Sequence, residues 1–113
     1  MSCRILFLVS HVPRRGALGA EMLDELLIGA AFEQRVSLLF VGDGVYHLAD
    51  ATSGSSARGF RALPTYDVTD VFVERAAVKA RNLDPERFVI PARSLAPSAI
   101  RRLIATQDVV VPD

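Results

Sequence analysis

Five short apolar runs recur along the chain, and each has the length of a buried β-strand. They are nearly continuous rather than alternating, which is typical of strands covered on both faces in a parallel sheet. The runs are Arg4–Ser10, Val36–Val41, Val68–Val73, Arg87–Ile90 and Asp108–Val111.

Between these runs the apolar positions change to a spacing of three and four, which predicts amphipathic helices. The predicted helices are Ala17–Gln34, Arg75–Asn82 and Pro97–Gln107, with a shorter helical turn at Val45–Ala51. Asn82 can end its helix in the left-handed conformation. Because strands and helices alternate, the sequence predicts an α/β fold. We expect one three-layer α/β/α domain over residues 1–113, with a mostly parallel five-stranded sheet.

Composition narrows the function classes. The formal net charge of the 113 residues is zero, so bulk charge favours neither nucleic acid nor a membrane surface. Hydrophobic residues make up 50% of the chain, which fits either a parallel-sheet core or surface buried against partner subunits. Cys3 is the single cysteine, which excludes an intrachain disulfide and fits a reducing cytoplasm. No apolar stretch is long enough to span a membrane.

Candidate site residues follow the strands, because ligands of such sheets bind at the carboxyl ends of the strands. The expected segments there are Ser10–His11, Gly42–Val45, Glu74–Arg75 and Pro91–Ser94. Within them the candidates for a cleft or a partner-facing surface are His11, Asp43, Gly44, Glu74 and Arg75. Cys3 precedes the first strand, so we expect it at the opposite edge, roughly 23 Å from Ser10 at about 3.3 Å per residue.

Each candidate also has a plainer interpretation. Glu74 as an acid or base would need a neighbour that raises its pKa, and Arg75 acts the other way. An ion pair that caps the helix start is the preferred interpretation. His11 and His47 could be metal ligands or a base, but no metal-ligand spacing is present, and loop histidines are the simpler assignment. The sequence therefore predicts no metal and no cofactor. Arg14 and Arg15 could meet an anion at a helix start, although a solvated loop is favoured.

Several segments together resemble the DsrE/DsrF-like family of small sulfur-relay proteins, and within it the TusC or DsrF type of subunit. The segments are RILFLVS, LLIGAAF, LLFVGDGVYHL, YDVTDVFVERAAVKARNLD and LAPSAIRRLIATQDVVVPD. The resemblance implies a cytoplasmic heterohexamer with sister subunits of the TusB and TusD types. In that family the persulfide-carrying cysteine belongs to the TusD or DsrE type, at the end of the third strand, and Glu74 lies at this position here.

The resemblance therefore implies a non-catalytic subunit that supports persulfide sulfur transfer. The setting is the synthesis of 2-thiouridine at tRNA wobble positions or dissimilatory sulfur metabolism, without direct contact to nucleic acid. Two alternatives stay open. One is a homo-oligomeric module that binds a small anion or nucleotide in a cleft at His11, Asp43 and Glu74. The other is a sulfur carrier that uses Cys3.

Overall fold

The fold is an α/β sheet with all strands parallel. The computed structural model describes residues 3–11, 35–49 and 68–113. Within them the strand order is β4-β3-β2-β1-β5, and every neighbouring pair is parallel. The predicted α/β class and the predicted five-stranded parallel sheet are confirmed. The strands are β1 (Arg4–Val9), β2 (Arg35–Phe40), β3 (Asp70–Glu74), β4 (Arg93–Leu95) and β5 (Val109–Pro112).

Helices cover both faces of this sheet. They are α1 (Tyr46–Ala49), α2 (Arg75–Ala80) and α3 (Pro97–Ala105), with 3-10 turns at Gly42–Val45 and Pro85–Arg87. The predicted left-handed cap is confirmed, since Asn82 has a φ of 53°. No helix in the part of the chain described is long and apolar enough to cross a membrane. The predicted helix Ala17–Gln34 and the loop residues 52–59 lie outside the described residues.

The two faces alternate along each strand, as the period of two requires. One face packs against α1, α2 and Ile90 to form the main core. That core includes Phe7, Val9, Leu38, Phe40, Val71, Val73, Val45, Leu48, Ala77 and Val78. The other face carries Leu6 and Leu39, both fully buried, and Phe72, which lies near Leu103 of α3.

The predicted strand Arg87–Ile90 is wrong, because this segment packs on the core without pairing in the sheet. Asp84 and Pro85 start a 3-10 turn there, and the Asp84 side chain accepts a hydrogen bond from the Glu86 N–H. Val89 instead donates its N–H to the carbonyl of Leu48, at 2.9 Å. The fourth strand is β4, which starts later. The apolar side chains of this segment signalled burial, and burial alone does not distinguish a strand from a packed loop.

Candidate functional site at the carboxyl edge of the sheet

The carboxyl ends of β1, β2, β3 and β5 meet at one edge of the sheet. Val9 pairs with Phe40, and Phe40 pairs with Val73, so the residues that follow these strands are neighbours. Most of the candidate residues therefore lie at this edge, as predicted. Pro91 and Ala92 do not, because they precede β4 and lie at its amino end. Their predicted place at the carboxyl edge is wrong, and the cause is the misassigned fourth strand.

Asp113, which the sequence analysis missed, organises the end of β1. Its carboxylate accepts hydrogen bonds from the backbone N–H groups of Ser10 and His11, each at 3.0 Å. It also accepts from the Ser10 hydroxyl at 2.9 Å and contacts the His11 Nδ1 at 3.0 Å. Burial of this carboxylate opposes ionisation, yet the hydrogen bonds from His11 and Ser10 outweigh burial and lower the pKa of Asp113 below its ordinary value.

The Asp113 contact also fixes the orientation of the His11 ring. Since a carboxylate can only accept, Nδ1 carries the hydrogen and Nε2 of the neutral ring remains an acceptor. The His11 side chain is 56% exposed, whereas that of Asp113 is 5% exposed. The arrangement therefore presents an oriented imidazole at the surface, held from beneath by a buried carboxylate.

His47 supports the same corner from the interior. The residue is 7% exposed, and its Nε2 donates to the carbonyl of His11 at 2.9 Å. Its ring lies 6.2 Å from that of Phe40. Burial lowers the pKa of His47, which favours the neutral ring. Within residues 3–11, 35–49 and 68–113, no three histidine, cysteine or acidic side chains are grouped so that they could hold a metal ion.

The turn after β2 depends on two glycines for different reasons. Gly42 has a φ of +51°, the left-handed region that favours glycine. Gly44 lies against β1, and a Cβ built on it would come 1.9 Å from the carbonyl oxygen of Val9. Its N–H donates to the carbonyl of Val41 at 2.8 Å, which closes the turn. Gly42 therefore permits the left-handed backbone of the turn, and Gly44 permits the close approach of the turn to β1.

Glu74 ends β3 and points its carboxylate at the neighbouring strand. Its Oε1 accepts the N–H of Gly42 at 3.0 Å. Glu74 occupies the N-cap position of α2, but its side chain makes no capping hydrogen bond. Nor does an ion pair join Glu74 to the exposed Arg75 among the described residues. The preferred prediction of a capping ion pair is therefore wrong. The Glu74 carboxylate instead accepts the backbone N–H of Gly42, which follows the neighbouring strand β2.

Asp43 pairs with a residue that sequence reasoning did not single out. Its Oδ1 accepts from Nη2 of Arg81 at 2.8 Å, and the guanidinium lies 5.8 Å from the centre of the Tyr46 ring. Arg81 also donates to the carbonyl of Ala77 at 3.1 Å. The hydrogen bond to Asp43 raises the pKa of Arg81. Arg81 follows Ala77 by one helical turn, so its contact with the Ala77 carbonyl could be predicted from the helix spacing. Its pairing with Asp43 could not, because the position of the turn after β2 relative to α2 depends on the strand order.

The edge presents one exposed, oriented imidazole, and the Nε2 of the His11 ring is open to a hydrogen bond. The Ser10 hydroxyl is engaged as a donor to Asp113. The sulfur of Cys3 lies elsewhere, since Cys3 precedes β1, at the amino end of the sheet as predicted. The six residues of β1 separate the two edges by roughly 20 Å, at about 3.3 Å per residue.

Comparisons of sequence and of fold with known proteins agree with one another. The sequence model of the DsrE/DsrF-like family matches residues 4–112. Proteins named TusC, from Escherichia coli O157:H7 and from Shigella dysenteriae serotype 1, are 34% identical to this chain, over 96% of its length and 97% of theirs. The crystal structure of the ychN protein from E. coli has a TM-score of 0.83 at 11% identity. That structural match covers 98% of this chain and 99% of the other, and it bears on the fold alone.

Proposed function

The chain belongs to the DsrE/DsrF-like family, and on that premise we propose that it is a subunit of a sulfur-relay complex. The complex hands on persulfide sulfur for the synthesis of 2-thiouridine at tRNA wobble positions. This chain completes the assembly and shapes the surface that the sulfur acceptor approaches, without carrying sulfur itself. The predicted resemblance to the TusC type is confirmed by the curated relatives of that name.

The observation that carries this proposal is Glu74 at the end of β3. The resemblance places the sulfur-carrying cysteine of the TusD type at this position. Here the position holds a carboxylate, and that carboxylate accepts a hydrogen bond from the Gly42 N–H. Persulfide transfer requires a thiolate that attacks sulfane sulfur and then holds it. A carboxylate cannot do this, so the family's strand end serves a structural purpose in this chain.

The location of Cys3 supports the same conclusion. Its carbonyl accepts the Arg35 N–H at 3.0 Å, which fixes the backbone of Cys3 to the start of the sheet. A thiol there is about 20 Å from the edge where Glu74 lies. An acceptor approaching the carboxyl edge would therefore not meet it.

The remaining candidate residues are proposed to face a partner. His11, Asp43, Glu74 and Arg75 lie on or beside one edge, and the His11 side chain is open to contact, whereas Gly44 is buried and supports this surface by packing against β1. We place the complex in the cytoplasm, as a heterohexamer with sister subunits of the TusB and TusD types. Apolar side chains elsewhere offer area for subunit contacts, since Val109 and Val110 of β5 are 45% and 36% exposed.

Native mass spectrometry of the protein purified gently from its own host tests this function. We expect a mixed assembly that contains a sister subunit with a cysteine at its third-strand end. After the assembly is loaded with a persulfide donor, peptide mapping should find the added sulfur on that sister and none on this chain.

The matched control is Cys3→Ser in the same assembly. Sulfur delivery to the acceptor should stay unchanged, because the proposed role makes no use of this thiol. A persulfide on Cys3, with delivery lost in Cys3→Ser, would instead identify the chain as a carrier. A homo-oligomer that retains a small anion or nucleotide would identify a ligand-binding module, and either result overturns the proposal.

A further inference from the structure

A cavity of about 180 Å³ lies at the amino edge of the sheet, on the face that α3 covers. It is at the opposite end of the strands from the site already described. Side chains from β1, β2 and β3 line one side, and the last turn of α3 with the residues after it lines the other. The lining residues are Arg4, Arg35, Ser37, Asp70, Phe72, Leu103, Thr106 and Gln107.

Two arginines at this cavity stand side by side. Arg4 of β1 and Arg35 of β2 are direct neighbours in the parallel register. Like charges on adjacent strands repel one another. Neither guanidinium has an ion-pair partner in the described part of the chain, although Asp70 lines the same cavity. The pair therefore offers a group of planar donors suited to a carboxylate or another anion.

The same cavity also holds acceptors in need of donors. Gln107 donates its side-chain nitrogen to the carbonyl of Leu103, but its buried Oε1 accepts no hydrogen bond from any residue that the structure describes. Asp70, in register with Ser37, makes no ion pair or side-chain hydrogen bond with any described residue. Ser37, which is 7% exposed, also lines this cavity. A buried carbonyl oxygen without a donor is uncommon in proteins, so the Gln107 Oε1, with the half-buried Asp70 carboxylate in the same cavity, indicates a place for a ligand that donates hydrogen bonds.

The two guanidinium groups and the two acceptors, Asp70 and Gln107, together indicate which chemical groups the ligand carries. An inorganic anion would satisfy Arg4 and Arg35 but would be repelled by Asp70. A molecule with a carboxylate at one end and an ammonium group at the other satisfies both, because an ammonium supplies three donors and a positive charge. The cavity volume of about 180 Å³ is below the roughly 300–1,000 Å³ of pockets that hold drug-sized molecules, so the ligand is small.

We propose that this cavity binds a free α-amino acid. The carboxylate pairs with the guanidinium groups of Arg4 and Arg35, and the ammonium group donates to Asp70 and to the Oε1 of Gln107. Phe72 and Leu103 supply the apolar part of the lining. The site lies apart from the carboxyl edge, so the proposal does not depend on a role in sulfur relay.

Calorimetric titration of the full chain, in whatever assembly it purifies, with each of the twenty common free L-amino acids tests the proposal. Backbone amide shifts of Arg4, Ser37 and Gln107 in an NMR titration locate the binding. We expect at least one amino acid to bind and to shift these amides. Its N-acetyl derivative and its carboxamide each lose one charged end, and each should bind at least about tenfold more weakly.

Three variants connect binding to the cavity. Arg35→Gln and Asp70→Asn should each weaken the binding of that amino acid by about tenfold or more, with the melting temperature measured to show that each variant is folded. Arg101→Gln is the matched control, because Arg101 is an exposed arginine of α3 that does not line the cavity. The proposal is overturned if no amino acid binds or if inorganic phosphate binds as tightly. Binding that survives both cavity variants would overturn it as well.

Discussion

The charged side chains at the two edges of the sheet differ in whether they have a partner within the described part of the fold. At the carboxyl edge Asp113, Glu74 and Asp43 each have a partner, which is a backbone N–H or, for Asp43, Arg81. At the amino edge Arg4 and Arg35 are adjacent and have no ion-pair partner among the described residues. Within the described residues, the three carboxylates at the carboxyl edge are therefore bound inside the fold, whereas the two guanidinium groups at the amino edge are not.

This difference separates structural from binding roles. A charged group that already has a partner in the fold gains little from a ligand, whereas a charged group without one is available to bind a ligand. Carboxyl edges of parallel sheets are the usual place for ligands. Here the hydrogen bonds of the carboxyl edge hold turns in place, which agrees with the proposed role of that edge as a contact surface rather than a ligand site. The amino edge has the features of a small-molecule site.

The largest effect should come from the tight packing of the carboxyl edge at Gly44. Gly44→Ala would place a methyl group 1.9 Å from the Val9 carbonyl oxygen, so the turn or β1 must shift. We expect a loss of about 3 kcal/mol in the free energy of unfolding, measured by urea denaturation.

Gly42→Ala is the matched control two residues away. A Cβ at Gly42 would meet no atom of the described residues within 4 Å, so only the backbone cost of its φ of +51° remains, about 1 kcal/mol. Equal losses in the two variants would mean that the close approach of the turn to β1 does not matter.

The next largest effect on stability is expected at Asp113 and Asp108, which accept hydrogen bonds from the two ends of β1. Asp113 accepts from Ser10 and His11 at the carboxyl end, and Asp108 accepts from the Arg4 N–H at the exposed amino end, at 2.7 Å. We expect Asp113→Asn to lower the free energy of unfolding by about 2 kcal/mol and Asp108→Asn by about 0.5 kcal/mol. Urea denaturation at neutral pH measures both.

The contribution of Asp113 should also depend on pH. Its folded pKa is lower than its ordinary value of 3.8, so ionisation stabilises the fold above that pH. The difference between wild type and Asp113→Asn should therefore shrink as the pH falls below 3.8. Equal losses in Asp113→Asn and Asp108→Asn would contradict the contrast between the two edges.

The sequence predicted the strands that form the centre of the sheet because their apolar runs report burial on both faces. Four of the five predicted runs overlap an observed strand, β1, β2, β3 or β5. The fifth run, Arg87–Ile90, is partly buried but does not pair with any strand of the described sheet. The hydrophobic pattern does not distinguish a buried strand from a buried loop. The placement of His11 and Glu74 at one edge followed from the parallel topology alone.

The partners of these residues could not be predicted, because they depend on strand order and register. Glu74 meets Gly42 since β3 lies next to β2, and Asp113 meets Ser10 since β5 lies next to β1. In the sequence Arg4 and Arg35 are each only a charged residue at the start of a strand. Their proximity, and hence the cavity beside them, arises when β1 and β2 pair in register.

The last prediction concerns His47, the buried support of the carboxyl edge. Burial lowers its folded pKa below the ordinary value of 6.5, so the unfolded chain binds a proton more readily than the folded one. Stability from this residue is fully present above pH 6.5 and decreases as the pH falls below that value. We expect urea denaturation to show wild type losing stability between pH 7 and pH 5.

The variant His47→Gln isolates this effect, because a glutamine amide can still donate to the carbonyl of His11 but does not titrate. His11 is present in both proteins, so it cancels when the two stability profiles are subtracted. The difference between wild type and His47→Gln should therefore favour wild type most at pH 7 and decline towards pH 5. A difference that stays constant, or that grows as the pH falls, would mean that the folded protein accepts the proton on His47 without cost. The carboxyl edge would then be less firmly supported from the interior than its hydrogen bonds indicate.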